Sequence, residues 1–317
     1  MTRLLKLASR VLTLFRSRPA RALFVVLAVG LAVWAVLSRR HEVLVAVRRL
    51  DPVTVAVAAV FTAVNVLTSG LVWWTALADL GSRLPLGAAS RIFYLGQLGK
   101  YVPGSVWPVV AQAELGRDHQ VPRRRTATAT FLTMLIGLAT ALLFVIALLP
   151  VAPGVLPDGF GWVTVLVLPL LVVLHPAVLA AVVNRVLLVL RREPLERPTS
   201  LAGTARAAAW AAIAWAAAGV QVFVLAVGLG APADWATAAL TLGGYALAWA
   251  VGFVVVVAPA GAGAREVALA AVLSPVLDRG AVVVLVLVSR LLFTLADLGF
   301  AGVAVAAERG STRPAAS

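Results

Sequence analysis

The sequence contains no cysteine and few acidic residues. The missing cysteines exclude disulfides, thiol catalysis and cysteine-ligated metals. The 317 residues include 13 Asp and Glu against 27 Lys and Arg, and lysine occurs only at Lys6 and Lys100. The three histidines, His41, His119 and His175, are scattered, which gives no pattern typical of a metal site. We therefore expect no metal.

Common catalytic and nucleotide-binding motifs are also missing. The sequence has no Gly-x-x-x-x-Gly-Lys-Ser/Thr loop for nucleotide phosphates. It has neither a His-Glu-x-x-His zinc pair nor a Gly-x-Ser-x-Gly nucleophile turn. We therefore expect no cofactor and no enzymatic activity, and an ATP-driven pump is not predicted.

Apolar residues dominate the chain. They make up 62% of it, only 13% is charged, and the mean hydropathy is +1.01. A soluble domain of this length needs more polar groups on its surface. The net charge of +14 lies in short clusters between apolar stretches, which is typical of membrane loops and not of a nucleic-acid-binding face. The composition predicts an all-α polytopic membrane protein and no nucleic-acid partner.

Seven apolar runs are about long enough to cross a bilayer, which takes about 20 helical residues. We predict a basic N-terminus at 1–21, one transmembrane domain at 22–307 and a short tail at 308–317. Trp73 and Trp74 end the second run and are predicted to lie at an interface. The predicted spans are 22–38, 52–78, 126–149, 161–183, 205–229, 235–257 and 281–306.

The basic residues predict an orientation. Six lie before residue 22, seven in 78–125 and five in 184–206, whereas 150–160 and 230–234 have none. Positive loops favour the cytoplasm, so we expect a multi-pass plasma-membrane protein with a cytoplasmic N-terminus. The loop 39–51 is predicted to be external although it holds four arginines.

Two segments, 85–112 and 258–275, are apolar but interrupted by glycine and proline. Irregular backbone must be buried in protein or line a wet cavity. Paired broken segments in corresponding halves point to a transporter site, so we predict two re-entrant elements and a weak internal duplication. Interfacial loops beside kinked helices are the alternative, and whether the repeats are inverted stays open. The breaks are Gly96, Gly99, Pro103, Gly104 and Pro108, then Pro259, Gly261 and Gly263.

Arg265 and Glu266 begin a predicted helix directly after a glycine turn. Free N–H groups at a helix start favour phosphate, and arginine adds a forked donor. Glu266 is expected to pair with Arg265 or with another basic group. Lys100, beside the first break, would supply a second positive contact. A structural salt bridge and a lysine reaching to the interface are the alternatives.

Polar residues inside the predicted spans suggest further roles. Arg290 and Asp297 are seven apart, on one face of the last span, where charge is costly and usually faces the bundle interior. They predict either a static ion pair or a path for substrate or protons. Asn65 and Gln221 are typical of interhelical hydrogen bonds. We expect polar packing for Gln97, Gln112 and Glu114.

The two broken segments resemble a known family. The run Gly96-Gln97-Leu98-Gly99-Lys100-Tyr101-Val102-Pro103-Gly104, followed by Trp107, resembles the first motif of the lysylphosphatidylglycerol synthase transmembrane, or flippase-like, family. Pro259-Ala260-Gly261-Ala262-Gly263-Ala264-Arg265-Glu266 is similar to its second motif, with Ala260 where glycine is usual. The resemblance covers roughly residues 20–307. It implies movement of a lipid between leaflets and not synthesis, which belongs to a separate soluble domain.

Together these features predict a translocase for a phospholipid or a polyprenyl-linked lipid, with anionic or phosphate-bearing membrane lipids as partners. An intramembrane transferase using Glu266 or Asp297 is one alternative. A non-transporting partner of an envelope-assembly enzyme is the other. The candidate substrate-binding residues are Lys100, Pro103, Gly104, Gly261, Gly263, Arg265, Glu266, Arg290 and Asp297.

Overall fold

The computed structural model describes Leu37 and residues 40–102, 107–149, 165, 167–189, 199–254 and 261–311. Within these residues every regular element is a helix, which confirms the predicted α-helical class. The predicted first span except Leu37, together with Pro103, Gly104 and Pro259, lies outside the described residues. The helices are α1 (Arg40–Arg49), α2 (Pro52–Asp79), α3 (Leu86–Gln97), α4 (Trp107–Arg117), α5 (Arg123–Leu148), α6 (Val167–Val173), α7 (Pro176–Val189), α8 (Leu201–Gly228), α9 (Trp235–Val254), α10 (Ala264–Leu273) and α11 (Arg279–Ser311), with a 3-10 helix at Leu98–Tyr101.

Five of these helices, α2, α5, α8, α9 and α11, are long and apolar enough to cross a membrane. They coincide with five of the seven predicted spans. The predicted fourth span is divided where α6 ends before His175 and α7 begins at Pro176, because proline has no N–H with which to continue the preceding helix. The last helix also continues beyond the predicted span end, to Ser311.

The ends of the helices meet at two opposite ends of the bundle, and polar contacts identify each of them. At the first, which we call the Asp278 end, Arg49 Nη1 lies 2.9 Å from Asp278 Oδ2 and 3.4 Å from the Leu229 carbonyl oxygen. At the second, the Asp79 end, the Asp79 carboxylate accepts from the Ser200 N–H at 2.8 Å and from its hydroxyl at 2.5 Å. Helices α2 and α8 therefore run antiparallel between the two ends.

Local caps fix where these two helices begin. The Asp51 carboxylate accepts from the Thr54 N–H at 2.9 Å, and Pro52 stands at the first turn of α2. The Ser200 hydroxyl accepts from the Gly203 N–H at 2.9 Å and caps α8. Both caps lie outside the apolar segments, so each helix starts where the sequence changes from polar to apolar.

The first broken segment forms an antiparallel helix pair, and the second, 258–275, contributes α10, which packs back along α9 of the predicted span 235–257. In the first hairpin, α3 and α4, a Cβ on Gly96 would lie 2.2 Å from Gln112 Cγ, and both ends lie at the Asp79 end, where Arg125 donates to Ser82. In the second hairpin, α9 and α10, Gly252 packs on Gly261 and Gly244 on Val272. This hairpin begins after Leu229 and ends before Asp278, which both contact Arg49 at the Asp278 end. The two hairpins thus point in opposite directions.

Candidate functional site

A cavity of about 280 Å³ lies between the two hairpins and α11. Charged residues from three elements line it: Lys100 from the 3-10 helix, Arg265 from α10, and Arg290 and Asp297 from α11. The structure therefore brings predicted site residues from both broken segments and the last span to one place. Neutral polar lining residues are Asn65, Ser69, Gln97, Gln112, Thr130 and Thr133, and the aromatic ones include Trp73, Tyr101, Trp215, Tyr245, Trp249 and Phe293.

Asp297 is held by the first hairpin. Its side chain is 6% exposed, and its Oδ2 lies 2.6 Å from Lys100 Nζ and accepts from the Tyr101 hydroxyl, also at 2.6 Å. The sequence did not predict this ion pair, and the direct phosphate contact of Lys100 stays a prediction. Tyr101, which follows Lys100 in the first motif, is a site residue that the sequence pattern does not single out.

Arg290 is held by the second hairpin. Its Nη1 lies 3.4 Å from Glu266 Oε1, and the two side chains are 27% and 26% exposed. The other Glu266 oxygen accepts from the Gly263 N–H at 2.6 Å. Glu266 therefore pairs with a basic group other than Arg265, one of the two alternatives predicted. Because the Gly263 N–H is already bonded, this part of the predicted backbone anion site is occupied by a side chain of the same helix.

Arg265 has a different environment. A nitrogen of its guanidinium donates to the Tyr245 hydroxyl. The guanidinium carbon lies 4.6 Å from the centre of the Tyr245 ring and 5.5 Å from that of Phe293, distances at which a cation is attracted to the ring faces. Among the described residues no carboxylate pairs with Arg265. This side chain therefore brings a positive charge to the cavity wall beside a hydroxyl and two aromatic rings.

Glycines allow the second hairpin to place Arg265. Gly261 has φ +70° and Gly263 has φ +84°, a region that glycine adopts without the Cβ penalty. A Cβ on Gly261 would lie 3.0 Å from the Gly252 Cα. The close contact of α9 with the turn thus depends on two glycines, and α10 starts directly after the turn with Arg265 in its first turn.

A chain of hydrogen bonds joins three cavity-lining residues from the first half of the sequence. Trp73 Nε1 donates to Thr130 Oγ1 at 3.1 Å, and that hydroxyl donates to Gln112 Oε1 at 2.5 Å. Trp73 is fully buried, so its side chain packs inside the protein, and its position at a membrane interface stays a prediction. Its indole N–H is satisfied by a threonine on α5, which explains how it can be buried.

Other polar predictions have mixed outcomes. Asn65 Nδ2 donates to the Ala214 carbonyl oxygen at 2.7 Å and Gln221 Oε1 accepts from Ser289 at 3.1 Å, so both join neighbouring helices as predicted. Glu114 instead lies at the surface, where a hydrogen bond from Arg123 at 2.5 Å lowers the pKa of its carboxyl. It does not contribute to buried polar packing.

The combination of the cavity, its charges and the two broken hairpins agrees with a comparison against known families. A sequence model described as the transmembrane region of lysylphosphatidylglycerol synthase matches residues 21–298. The chain belongs to this lysylphosphatidylglycerol synthase transmembrane family. Membership identifies a multi-pass membrane protein of the lipid-modifying or flippase-like kind. A search of curated proteins finds no match.

Proposed function

We propose that the protein moves a lipid with an anionic, phosphate-bearing head group between membrane leaflets. The observation that carries the proposal is the Arg265 guanidinium, which lines a cavity deep in an apolar bundle without a carboxylate partner among the described residues. An uncompensated cation at such a position is costly unless a ligand supplies the opposite charge.

The charges around the cavity favour an anion. Lys100, Arg265 and Arg290 face Asp297 within the lining, and Glu266 pairs with Arg290 beside it. Three cations and two carboxylates leave one positive charge, which one phosphate would neutralise. Arginine binds phosphate oxygens with two parallel donors, so Arg265 supplies both charge and geometry.

The opposed hairpins suggest how the head group passes. We propose that each is re-entrant, the first from the cytoplasmic face and the second from the external face, so that their breaks meet around the cavity. The head group would move through the cavity while its tails remain in lipid. Inverted broken segments with a site between them are a recurring arrangement in secondary transporters.

The transferase alternative has less support from the geometry. A general base must reach the proton that it removes, and each of the two carboxylates nearest the cavity is held in place by an ion pair and a further hydrogen bond. Asp297 is bonded to Lys100 and Tyr101, and Glu266 to Arg290 and the Gly263 N–H. We therefore propose transport without covalent chemistry.

The test is lipid movement in proteoliposomes reconstituted with the purified protein and a fluorescent anionic phospholipid. Access of a membrane-impermeant quencher reports the lipid that has crossed. Arg265→Ala should reduce movement to the rate of empty vesicles. Arg206 is an exposed arginine near the start of α8 that donates to the Ala202 carbonyl oxygen, and Arg206→Ala should leave lipid movement unchanged. Wild-type movement by Arg265→Ala at equal protein would disprove the anion site, and a new covalent lipid product would support the transferase.

A further inference from the structure

Asp297 is buried at the cavity, and its two partners belong to one short element. Lys100 and Tyr101 both bond to the same carboxylate oxygen, Oδ2. They are consecutive residues of the four-residue 3-10 helix in the first hairpin. A movement of this short helix away from α11 would therefore remove both partners together and leave a carboxylate inside the protein without either of them.

Lys100 is the member of the ion pair that a ligand can reach. Its side chain lines the cavity and is 31% exposed, whereas that of Asp297 is 6% exposed. An ammonium group has three donors, so a phosphate oxygen in the cavity can bond to Lys100 at about 2.8 Å. Because Lys100 Nζ lies 2.6 Å from Asp297 Oδ2, that phosphate oxygen would lie within about 5.5 Å of the carboxylate.

A phosphate on Lys100 is thus a second anion beside Asp297. Like charges within about 4–6 Å of each other disfavour the charged form of a carboxyl group, and burial in an apolar bundle adds to this effect. A phosphodiester keeps its charge near neutral pH, so the carboxylate is the group that becomes neutral. The cavity volume of about 280 Å³ holds many waters, which can supply the proton.

The other charged groups near Asp297 have partners of their own. Arg290 is paired with Glu266, and Arg265 donates to the Tyr245 hydroxyl. Among the described residues, α1, α2, α3 and α8 also pack against α11 but place no charged or titratable side chain in the cavity lining. The charged and titratable residues that share the lining with Asp297 are Lys100, Tyr101, Tyr245, Arg265 and Arg290.

Glu266, the corresponding carboxylate of the second hairpin, is less suited to take up a proton. Its side chain is 26% exposed, and its second oxygen accepts from the Gly263 N–H at 2.6 Å. That donor precedes the first residue of the same helix, so it stays in place when Arg290 moves, and a hydrogen bond to the charged form stabilises that form. Asp297 is more deeply buried, and both of its described donors belong to the first hairpin.

We infer that Asp297 is a proton-binding site, which takes up one proton when the substrate's phosphate binds to Lys100. The O–H bond forms on the carboxylate with a proton from cavity water, and the proton returns to water when the phosphate leaves and Lys100 pairs with Asp297 again. The inference rests on the proposed function. It adds that a proton moves with each lipid, so that a proton gradient can drive lipid movement.

The first test counts protons taken up by the purified full chain in weakly buffered detergent. Phosphatidylglycerol is the probe, because its phosphodiester does not titrate near neutral pH. A pH-indicator dye reports the uptake, and bound lipid is counted separately. We expect up to one proton per bound lipid in wild type, with less uptake as the pH rises. Asp297→Asn should bind the lipid without uptake, whereas Glu266→Gln should keep the uptake per bound lipid.

Tyr101→Phe provides a second readout that does not depend on the folding of Asp297→Asn. It removes one donor from the charged carboxylate and keeps Lys100. Proton uptake should therefore extend to higher pH by about one unit, the effect of losing one hydrogen bond to a charged group. A purely structural contact between Tyr101 and Asp297 would leave this pH profile unchanged.

The second test imposes a gradient of one pH unit, alkaline inside, on proteoliposomes that contain fluorescent phosphatidylglycerol. One proton moved with each lipid should enrich the lipid in the inner leaflet by up to about tenfold. Empty vesicles and vesicles with Asp297→Asn are the controls and should show no such enrichment.

The outcomes separate this inference from the proposed function. Lipid binding by wild type without proton uptake would overturn the inference and leave the anion site standing. Equal leaflets in the gradient, or an unchanged pH profile of Tyr101→Phe, would also overturn it. Uptake that persists in Asp297→Asn and is lost in Glu266→Gln would assign the proton to the wrong carboxylate. Absence of lipid binding by wild type would refute both proposals.

Discussion

At the scale of single residues, the site depends on ion pairs that join elements far apart in sequence. Asp297 is bonded to Lys100 and Tyr101, and Arg290 to Glu266. One ion pair thus joins each hairpin to α11. In the first pair the carboxylate is on α11, and in the second pair the arginine is on α11. A head group that competes for Lys100 would act on the Asp297 pair, and so on the contact of the first hairpin with α11.

A double-mutant cycle can measure how much the Lys100–Asp297 ion pair contributes to stability. Lys100→Met should lower the thermal stability of the purified protein, by about 1–3 kcal/mol, because it leaves a buried carboxylate with only the Tyr101 hydroxyl. The effect should fall below that of a fully buried pair, since the Lys100 side chain is 31% exposed.

The double variant Lys100→Met/Asp297→Leu is the informative control. It should recover most of the lost stability, because no uncompensated charge remains. Thermal unfolding of all four proteins in one detergent measures the coupling. If the two single losses simply add in the double variant, the pair does not contribute to stability as the geometry indicates.

Sequence reasoning selected the charged residues of the site but not their partners. Charge inside an apolar span is conspicuous, so Arg290 and Asp297 could be found by composition alone. Their partners depend on which elements the fold brings beside α11, and helical spacing predicts only that the two share one face of that helix. Gln112 was predicted to be ordinary polar packing, because a one-dimensional pattern cannot show that it lines the cavity.

At the scale of elements, the second hairpin depends on close backbone contact. A Cβ on Gly261 would lie 3.0–3.2 Å from three backbone atoms of Gly252, and the residue has φ +70°. Gly261→Ala should therefore destabilise the protein by about 1–3 kcal/mol, because both the backbone conformation and the contact become strained.

Gly302→Ala is the matched control on α11, where a Cβ would meet nothing within 4 Å. In a helix interior this change should be neutral or stabilising by up to about 1 kcal/mol. Thermal unfolding compares the two variants at equal expression. Equal stability of Gly261→Ala and wild type would show that the hairpin does not need the positive φ or the close contact.

The sequence predicts where the long helices lie better than it predicts which helices pack against each other. Apolar length located α2, α5, α8, α9 and α11, since a helix that crosses a bilayer must be long and apolar. The same criterion made 235–257 an independent span and could not show that α10 packs back along it. That pairing depends on Gly244, Gly252 and Gly261, whose lack of side chains permits the close contact.

At the scale of the whole molecule, the two ends of the bundle differ in charge. The Asp79 end carries Arg117 and the run Arg123, Arg124 and Arg125, whereas the Asp278 end carries Asp51, Asp234 and Asp278 among its few arginines. The positive-inside bias then favours a cytoplasmic Asp79 end. One of the four arginines of 39–51, Arg49, is paired with Asp278 at the opposite end.

Both the orientation and the opposed hairpins can be tested by cysteine labelling, which this cysteine-free chain allows without background. Arg124→Cys lies at the Asp79 end and should be protected from an impermeant thiol reagent in intact cells. Asp234→Cys and Arg279→Cys lie before α9 and at the start of α11, on either side of the second hairpin. Both should react from outside, because the hairpin returns to the Asp278 end. Arg279 is preferred to Asp278 as the labelling position because it leaves the Arg49 pair intact.

Labelling of Arg124→Cys alone would reverse the orientation but keep the hairpin. Labelling of only one of Asp234→Cys and Arg279→Cys would mean that the second hairpin crosses the membrane, so the two broken segments would no longer be inverted and the proposed path through the cavity would fail.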